Sequence, residues 1–248
     1  MYQTTFMEEK QKLDVGYADA HCHLNLFAEP MKIIEKSLEN GVELIVTAGG
    51  SRKDNIEIQS IVGKNVFGVV GIDPEHIEDH EGIQELKGFV EGNKNIIGIG
   101  EIGLDIKAAK SEEHYEKEKE LFEKQLEIAE ELDVPIVIHS RGALDDVLEM
   151  LKDFKLRAMF HFFEGDENDV EKIKNYIISI PPVETSKRRR ALQRIGLESI
   201  VLETDSPIVG KDPIDVKKSA SIVAKVKGLS IEEVASATNE NLRKFFYI

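Results

Sequence analysis

The chain has 248 residues, 41% hydrophobic and 32% charged, with a formal net charge of −15 and a single cysteine, Cys22. Such acidity counts against a protein that coats nucleic acid by neutralising phosphates, although it leaves room for a local, metal-centred phosphate site. One cysteine excludes an intrachain disulfide, and no apolar run approaches the roughly 20 residues that cross a bilayer.

The length matches one α/β barrel, and no low-complexity tract or Pro/Gly/Ser-rich linker marks a boundary. One domain is therefore expected over residues 15–248, after an N-terminal extension over residues 1–14 in which nothing points to a site. No basic stretch followed by an apolar segment and a cleavage site opens the chain, so a cytoplasmic location is expected. Composition does not decide the oligomeric state, and a monomer is compatible with it.

In chain order, short β-branched runs alternate with longer helical patterns. Strands are expected at Tyr17 to Ala20, Val42 to Thr47, Val66 to Val70 and Ile96 to Gly100. Four more are expected at Pro135 to Ile138, Leu156 to Phe160, Tyr176 to Ile180 and Ser199 to Leu202. The clearest helix runs from Ser111 to Leu132, with Ser111 as N-cap, Glu112 and Glu113 in the first turn, and an apolar stripe of Phe122, Leu126, Ala129 and Leu132. Eight strand–helix units in a chain of this length favour a closed (β/α)8 TIM barrel over an open doubly wound sheet.

In such a barrel the chemistry sits at the carboxyl ends of the strands. His21 and His23 lie at the end of the first strand, and Glu101, His139, His161 and Asp205 each follow a later one. Residues two apart on a strand share a face, so His21 and His23 point together while Cys22 points away and packs. A lone His-x-His is more often chance than a ligand pair, and the four later positions are what change that weighting. Imidazoles with carboxylates suit Zn²⁺, Mn²⁺, Mg²⁺ or Fe²⁺, and two ions held close together need a bridging carboxylate. Glu101 is the natural bridge, set between Gly100 and Gly103, which allow close backbone approach. Taken alone, Glu101 would more often cap the barrel end or pair with a loop cation.

These motifs resemble, in order and over nearly the whole chain, the TatD-like metal-dependent deoxyribonucleases of the amidohydrolase superfamily. The resemblance rests on Asp19-Ala20-His21-Cys22-His23-Leu24, Gly100-Glu101-Ile102-Gly103-Leu104-Asp105 and Ile138-His139-Ser140-Arg141. It continues through His161-Phe162-Phe163-Glu164-Gly165, Leu202-Glu203-Thr204-Asp205-Ser206-Pro207 and a closing helical segment, Asn241 to Phe246. The resemblance implies two divalent ions (Mg²⁺, Mn²⁺ or Zn²⁺), one held by His21, His23 and Asp205, the other by His139 and His161, with Glu101 between them. It also implies that Asp205 orients or deprotonates the attacking water, and that the substrate is DNA.

Further residues bear on the substrate. Arg141, two residues after His139, can reach the mouth of the site and clamp a phosphate oxygen, or else pair with a loop acid. Lys187-Arg188-Arg189-Arg190 follows the seventh strand, where Lys187 and Arg188 are expected either to form a phosphate-binding lip or to belong to a solvated charge run. His76, His80 and His114 are expected to be exposed rather than catalytic, and Glu203, two before Asp205, is expected to support a metal-bound histidine. Asp73 stands where the family usually has histidine, and Glu164 where it has serine; both add negative charge. These departures keep open an amidohydrolase-type enzyme acting on a small amide, lactone or phosphoester. A barrel that binds metal or nucleic acid without turnover is the remaining alternative.

Overall fold

The computed structural model describes residues 16–248, so the expected N-terminal extension lies outside the described residues. Eight parallel strands follow one another around the sheet in chain order. They are β1 (Tyr17–Cys22), β2 (Val42–Ala48), β3 (Val66–Val70), β4 (Ile96–Asp105), β5 (Ile136–Arg141), β6 (Ala158–Phe160), β7 (Ile177–Ile180) and β8 (Ile200–Leu202). Every expected strand is present, and the helices between them complete the (β/α)8 barrel. Four strands run further than expected: β2 by one residue to Ala48, and, more consequentially, β1 to Cys22, β4 through Glu101 to Asp105 and β5 to Arg141. His21, Glu101 and His139 are therefore strand residues, whereas His23, His161 and Asp205 lie in the loops just beyond.

The ring closes between β8 and β1 through loop bonds. Asp205 N–H donates to His21 O at 2.9 Å and His23 N–H to Ser206 O at 2.7 Å. The buried Asp19 carboxylate accepts from Thr204 N–H at 2.9 Å and Thr204 Oγ1 at 2.5 Å. Burial, with the nearby Glu203 charge, pushes the Asp19 carboxyl well up, and the bonds from Thr204 and His21 only partly offset this.

Outside the strands lie α1 (Pro30–Glu39), α2 (Arg52–Ile58), α3 (Ile83–Gly92), α4 (Glu112–Leu132), α5 (Leu144–Leu151), α6 (Val170–Ile173), α7 (Ser186–Arg194), α8 (Val216–Lys227) and α9 (Ile231–Phe246). The helix expected from Ser111 forms as read: Ser111 Oγ accepts from His114 N–H at 3.1 Å. Phe122, Leu126 and Ala129 are buried beneath α4, and Leu132 is half-buried. Gln125 on the same face holds the segment after β3, accepting from Ile72 N–H at 2.7 Å and donating to Ile72 O at 2.9 Å.

Two apolar layers result from the strand alternation. Ile45, Ile99, Ile138, Phe160 and Leu202 belong to the larger cluster, which includes the helix residues Phe122, Leu126 and Val223. Ala18, Ala20, Leu44, Val46, Val137, Met159 and Val201 form the other, with Leu242, Phe245 and Phe246 of α9. Each fully buried Leu, Ile or Phe contributes about 1.5–3 kcal/mol, so this double layer holds the barrel without covalent staples. Cys22 is buried in the larger cluster with its thiol 3.6 Å from Val46 O, as expected of a packing residue. Among the described residues no helix is long and apolar enough to cross a membrane.

Candidate metal centre

The six expected residues converge at the carboxyl end of the barrel. His21 Nε2 lies 3.3 Å from His23 Nε2 and 3.3 Å from Glu101 Oε2. His23 Nε2 is 3.4 Å from Asp205 Oδ1 and 3.6 Å from Glu101 Oε2. The other Glu101 oxygen, Oε1, faces a second pair of rings, 2.8 Å from His161 Nε2 and 2.9 Å from His139 Nδ1, which themselves stand 3.3 Å apart. Glu101 thus divides its two oxygens between two sets of nitrogen donors.

Local structure fixes these positions. Glu101 is aimed by a close β4–β5 approach: at Gly103, φ is +142° and a Cβ would lie 2.0 Å from His139 O, so no other residue fits. Asp205 has φ +50°, a left-handed conformation that Asp tolerates better than most residues. Its own N–H bond to His21 O, and the bond from Val209 N–H to its carbonyl at 2.8 Å, hold it there.

The donor set fits divalent cations. His21, His23 and Glu101 can each direct one ligand atom within 4.8 Å of the others, as can Glu101, His139 and His161. Imidazole nitrogens facing each other at 3.3 Å, packed around a buried carboxylate, are the arrangement that a cation reconciles, and N/O donors of this kind suit Zn²⁺, Mn²⁺ and Mg²⁺. The electrostatics agree. Burial alone would raise the Glu101 carboxyl, but the His161 charge and bonds from His139, His161 and His21 hold it well below the usual carboxylate range. Burial works to lower His139 too, yet the Asp105 and Glu101 carboxylates raise it to about 9. His21, fully buried among other rings, is pushed below the ordinary histidine value chiefly by desolvation.

Two supporting acids stand behind the rings. Asp105, buried at the end of β4, places Oδ2 3.1 Å from His139 Nε2, leaving Nδ1 to face Glu101. No role for Asp105 follows from the Gly100–Asp105 motif alone; its spacing of four from Glu101 on one strand is the signal that points to one. Glu203 is fully buried; its Oε2 accepts from Ser179 Oγ at 2.5 Å and lies 3.8 Å from His161 Nδ1, while Oε1 and that Nδ1 have no hydrogen-bond partner. The expected support of a histidine by Glu203 is thus a long approach in this structure. Together with His21 and His161, Glu203 forms a third potential ligand group.

A cavity of about 620 Å³ opens over the centre, lined by His23, Glu101, His139, His161 and Asp205, while His21 is buried behind it. Arg141 lies on its wall, half-exposed, with a guanidinium nitrogen 3.7 Å from Asp105 Oδ2. The basic run is divided. Lys187 lines a neighbouring cavity of about 380 Å³, and Arg188 is buried, donating to Phe163 O at 3.0 Å and Val183 O at 2.5 Å. Arg188 lines neither cavity and serves to lock the loop after β6, so the lip expected from this pair is not assembled. Arg189 and Arg190 pair with Glu184 and Glu167.

The two acidic departures are both matched by cations. Glu164 lies 3.6 Å from Lys107 Nζ, and Asp73 Oδ1 lies 2.9 Å from His76 Nδ1. His76 was expected to be merely exposed; it lines the cavity instead. His114, also expected exposed, is half-buried, with Nδ1 3.1 Å from Glu118.

A parallel barrel with imidazoles and carboxylates gathered at its catalytic end defines the class of metal-dependent hydrolases. Comparison with known proteins gives the family. The family model described as TatD related DNase matches residues 18–247. A metal-dependent hydrolase of Methanocaldococcus jannaschii is 32% identical over 249 residues, covering 94% of this chain and 98% of the relative. Human deoxyribonuclease TATDN3 is 29% identical over 261 residues, covering 94% and 95%. Among solved structures, the TatD homologue YjjV of Escherichia coli superposes with a TM-score of 0.85 at 23% identity, covering 95% of this chain and all of that one, a likeness of fold. The chain belongs to the TatD related DNase family.

Proposed function

We propose that the protein is a two-metal phosphodiesterase acting on DNA. The observation that carries the reading is the division of the Glu101 carboxylate between His21 and His23 on one side and His139 and His161 on the other. His21, His23 and Asp205 would hold one divalent ion and His139 and His161 the second, with Glu101 reaching both. Such ions supply Lewis acidity, bringing the ionisation of water toward a pKa of about 7 and neutralising charge that grows on phosphate oxygens.

The chain's own groups do the rest. Asp205, buried at the floor of the cavity it lines and pinned through its backbone to His21, would accept the proton of an attacking water. Asp105 fixes the ring of His139 so that Nδ1 faces inward. Arg141, half-exposed on the wall beside Asp105, would donate to a phosphate oxygen and balance its charge. Lys107 and His76 offset the acids that would otherwise repel a polyanion, which favours a phosphodiester over an uncharged amide or lactone. The human relative TATDN3, named a deoxyribonuclease, supports the same substrate.

The test is hydrolysis by metal-stripped protein reloaded with Mg²⁺, Mn²⁺ or Zn²⁺. Labelled single- and double-stranded DNA should be cut, and a neutral lactone should not. Turnover of the lactone with DNA left intact would assign the barrel to small-molecule chemistry instead.

A further inference from the structure

Asp73 opens the segment after β3 and is held from several sides. Its N–H donates to Gly50 O at 2.9 Å, and the preceding Ile72 is clamped by Gln125. A Cβ on Gly50 would sit only 2.1 Å from Asp73 Oδ2, so that glycine makes room for the carboxylate. Oδ1 accepts from the N–H groups of Glu75 at 2.8 Å and His76 at 3.1 Å, and lies 2.9 Å from His76 Nδ1. A carboxylate facing Nδ1 places a proton on that nitrogen and fixes the ring. Nε2 is left without a hydrogen-bond partner among the described residues, on a side chain 42% exposed that lines the metal-centre cavity.

The surrounding charges favour a cationic ring. The Asp73 bond, with the charges of Asp73, Asp54 and Glu78 outweighing burial, raises His76 to about 9. Glu75 and Lys53 line the same rim, and Lys53 Nζ pairs with Glu57 only at 3.6 Å. No hydrogen bond or ion pair joins His76 to any of the six residues of the metal centre. His76 therefore stands at the rim rather than at the bond to be cleaved.

We propose that His76 is an anion-binding residue of this site, donating from Nε2 to an oxygen of a phosphate that flanks the cleaved bond, with Asp73 as the positioning residue that fixes its ring. The inference rests on the phosphodiester reading and deepens it: the substrate is a strand with a second phosphate, not an isolated phosphodiester. A charged donor to a phosphate oxygen gives a stronger hydrogen bond than a neutral one.

The experiment measures the affinity of metal-loaded protein for a fluorescein-labelled single-stranded octanucleotide with phosphorothioate linkages, by anisotropy. His76→Gln should weaken binding about 10-fold, the loss expected for one charge-assisted hydrogen bond. His76→Arg should restore most of it, whereas His80→Gln, at an exposed position outside the cavity lining, should bind as the parent does. Parent affinity should fall as pH rises through about 9, in a step that His76→Gln abolishes and Asp73→Asn moves toward the ordinary histidine value. Parent-like binding by His76→Gln, failure of His76→Arg to restore affinity, or no binding by the parent would overturn the proposal. Binding that depends on His76, with no cleavage of the all-phosphodiester octanucleotide, would instead count against the nuclease reading.

Discussion

Asp105 reaches diagonally across the β4–β5 pair to His139, whose register partner is Gly103, placing Oδ2 of the buried acid 3.1 Å from Nε2 of the ring. The contact leaves Nδ1 of His139 to face Glu101, the nitrogen that would hold a metal under the proposed function. Asp105→Asn keeps the size and a hydrogen bond but removes the charge that raises the basicity of the ring. Metal affinity, measured by competition with a chelator, should fall about 10- to 100-fold, as expected when a support of this kind is lost. Unchanged affinity would mean that His139 is not a ligand.

Asp205 separates an enzyme from a barrel that only binds. Asp205→Asn should lower kcat for DNA cleavage on the order of 10²–10⁴-fold, the loss expected for a general base. Octanucleotide affinity should stay within a few-fold of the parent. Retained turnover in this variant would remove Asp205 from proton transfer.

Most of the scaffold was legible in the chain. Eight β-branched runs gave eight strands because parallel strands buried on both faces read as continuous apolar stretches. The long helix was set by Ser111 and the Phe122, Leu126 and Ala129 stripe. Strand ends were harder: β4 runs on through Glu101-Ile102-Gly103-Leu104-Asp105, where glycine and acids hide the extended pattern. The six residues that converge at the barrel mouth were legible because ligand-type side chains recur at the ends of successive β-branched runs, in the order of the resembled motifs. Charge runs were less informative, since Lys187 and Arg188 are adjacent in sequence while Lys187 reaches a cavity wall and Arg188 is buried. The place of His76 on the cavity wall was not legible, because its contact with Asp73 forms within the turn after β3 and only the fold brings that turn over the barrel mouth.

Stability should track the layer between strands and helices. Phe122 is fully buried beneath α4, remote from the cavity lining. Phe122→Ala should cost about 3–5 kcal/mol in unfolding free energy, measured by urea denaturation. A loss below about 1 kcal/mol would contradict the packing described.

The His76–Asp73 pair also has a signature in stability. Folding raises the His76 value from 6.5 to about 9, so its contribution is complete below 6.5 and disappears as pH rises through about 9. The difference in denaturation midpoint between the parent and His76→Gln should therefore be largest at or below pH 6.5 and shrink as pH rises through about 9. A difference independent of pH between 6 and 10 would show that the ring is not held charged by Asp73.

A two-ion centre that cleaves DNA is tested most directly by the rate of DNA cleavage by metal-stripped protein as Mn²⁺ or Zn²⁺ is added in known ratio. Activity should saturate at two ions per chain in the parent and be lost in His139→Ala. Saturation at one ion, or cleavage unaffected by stripping the metal, would contradict it.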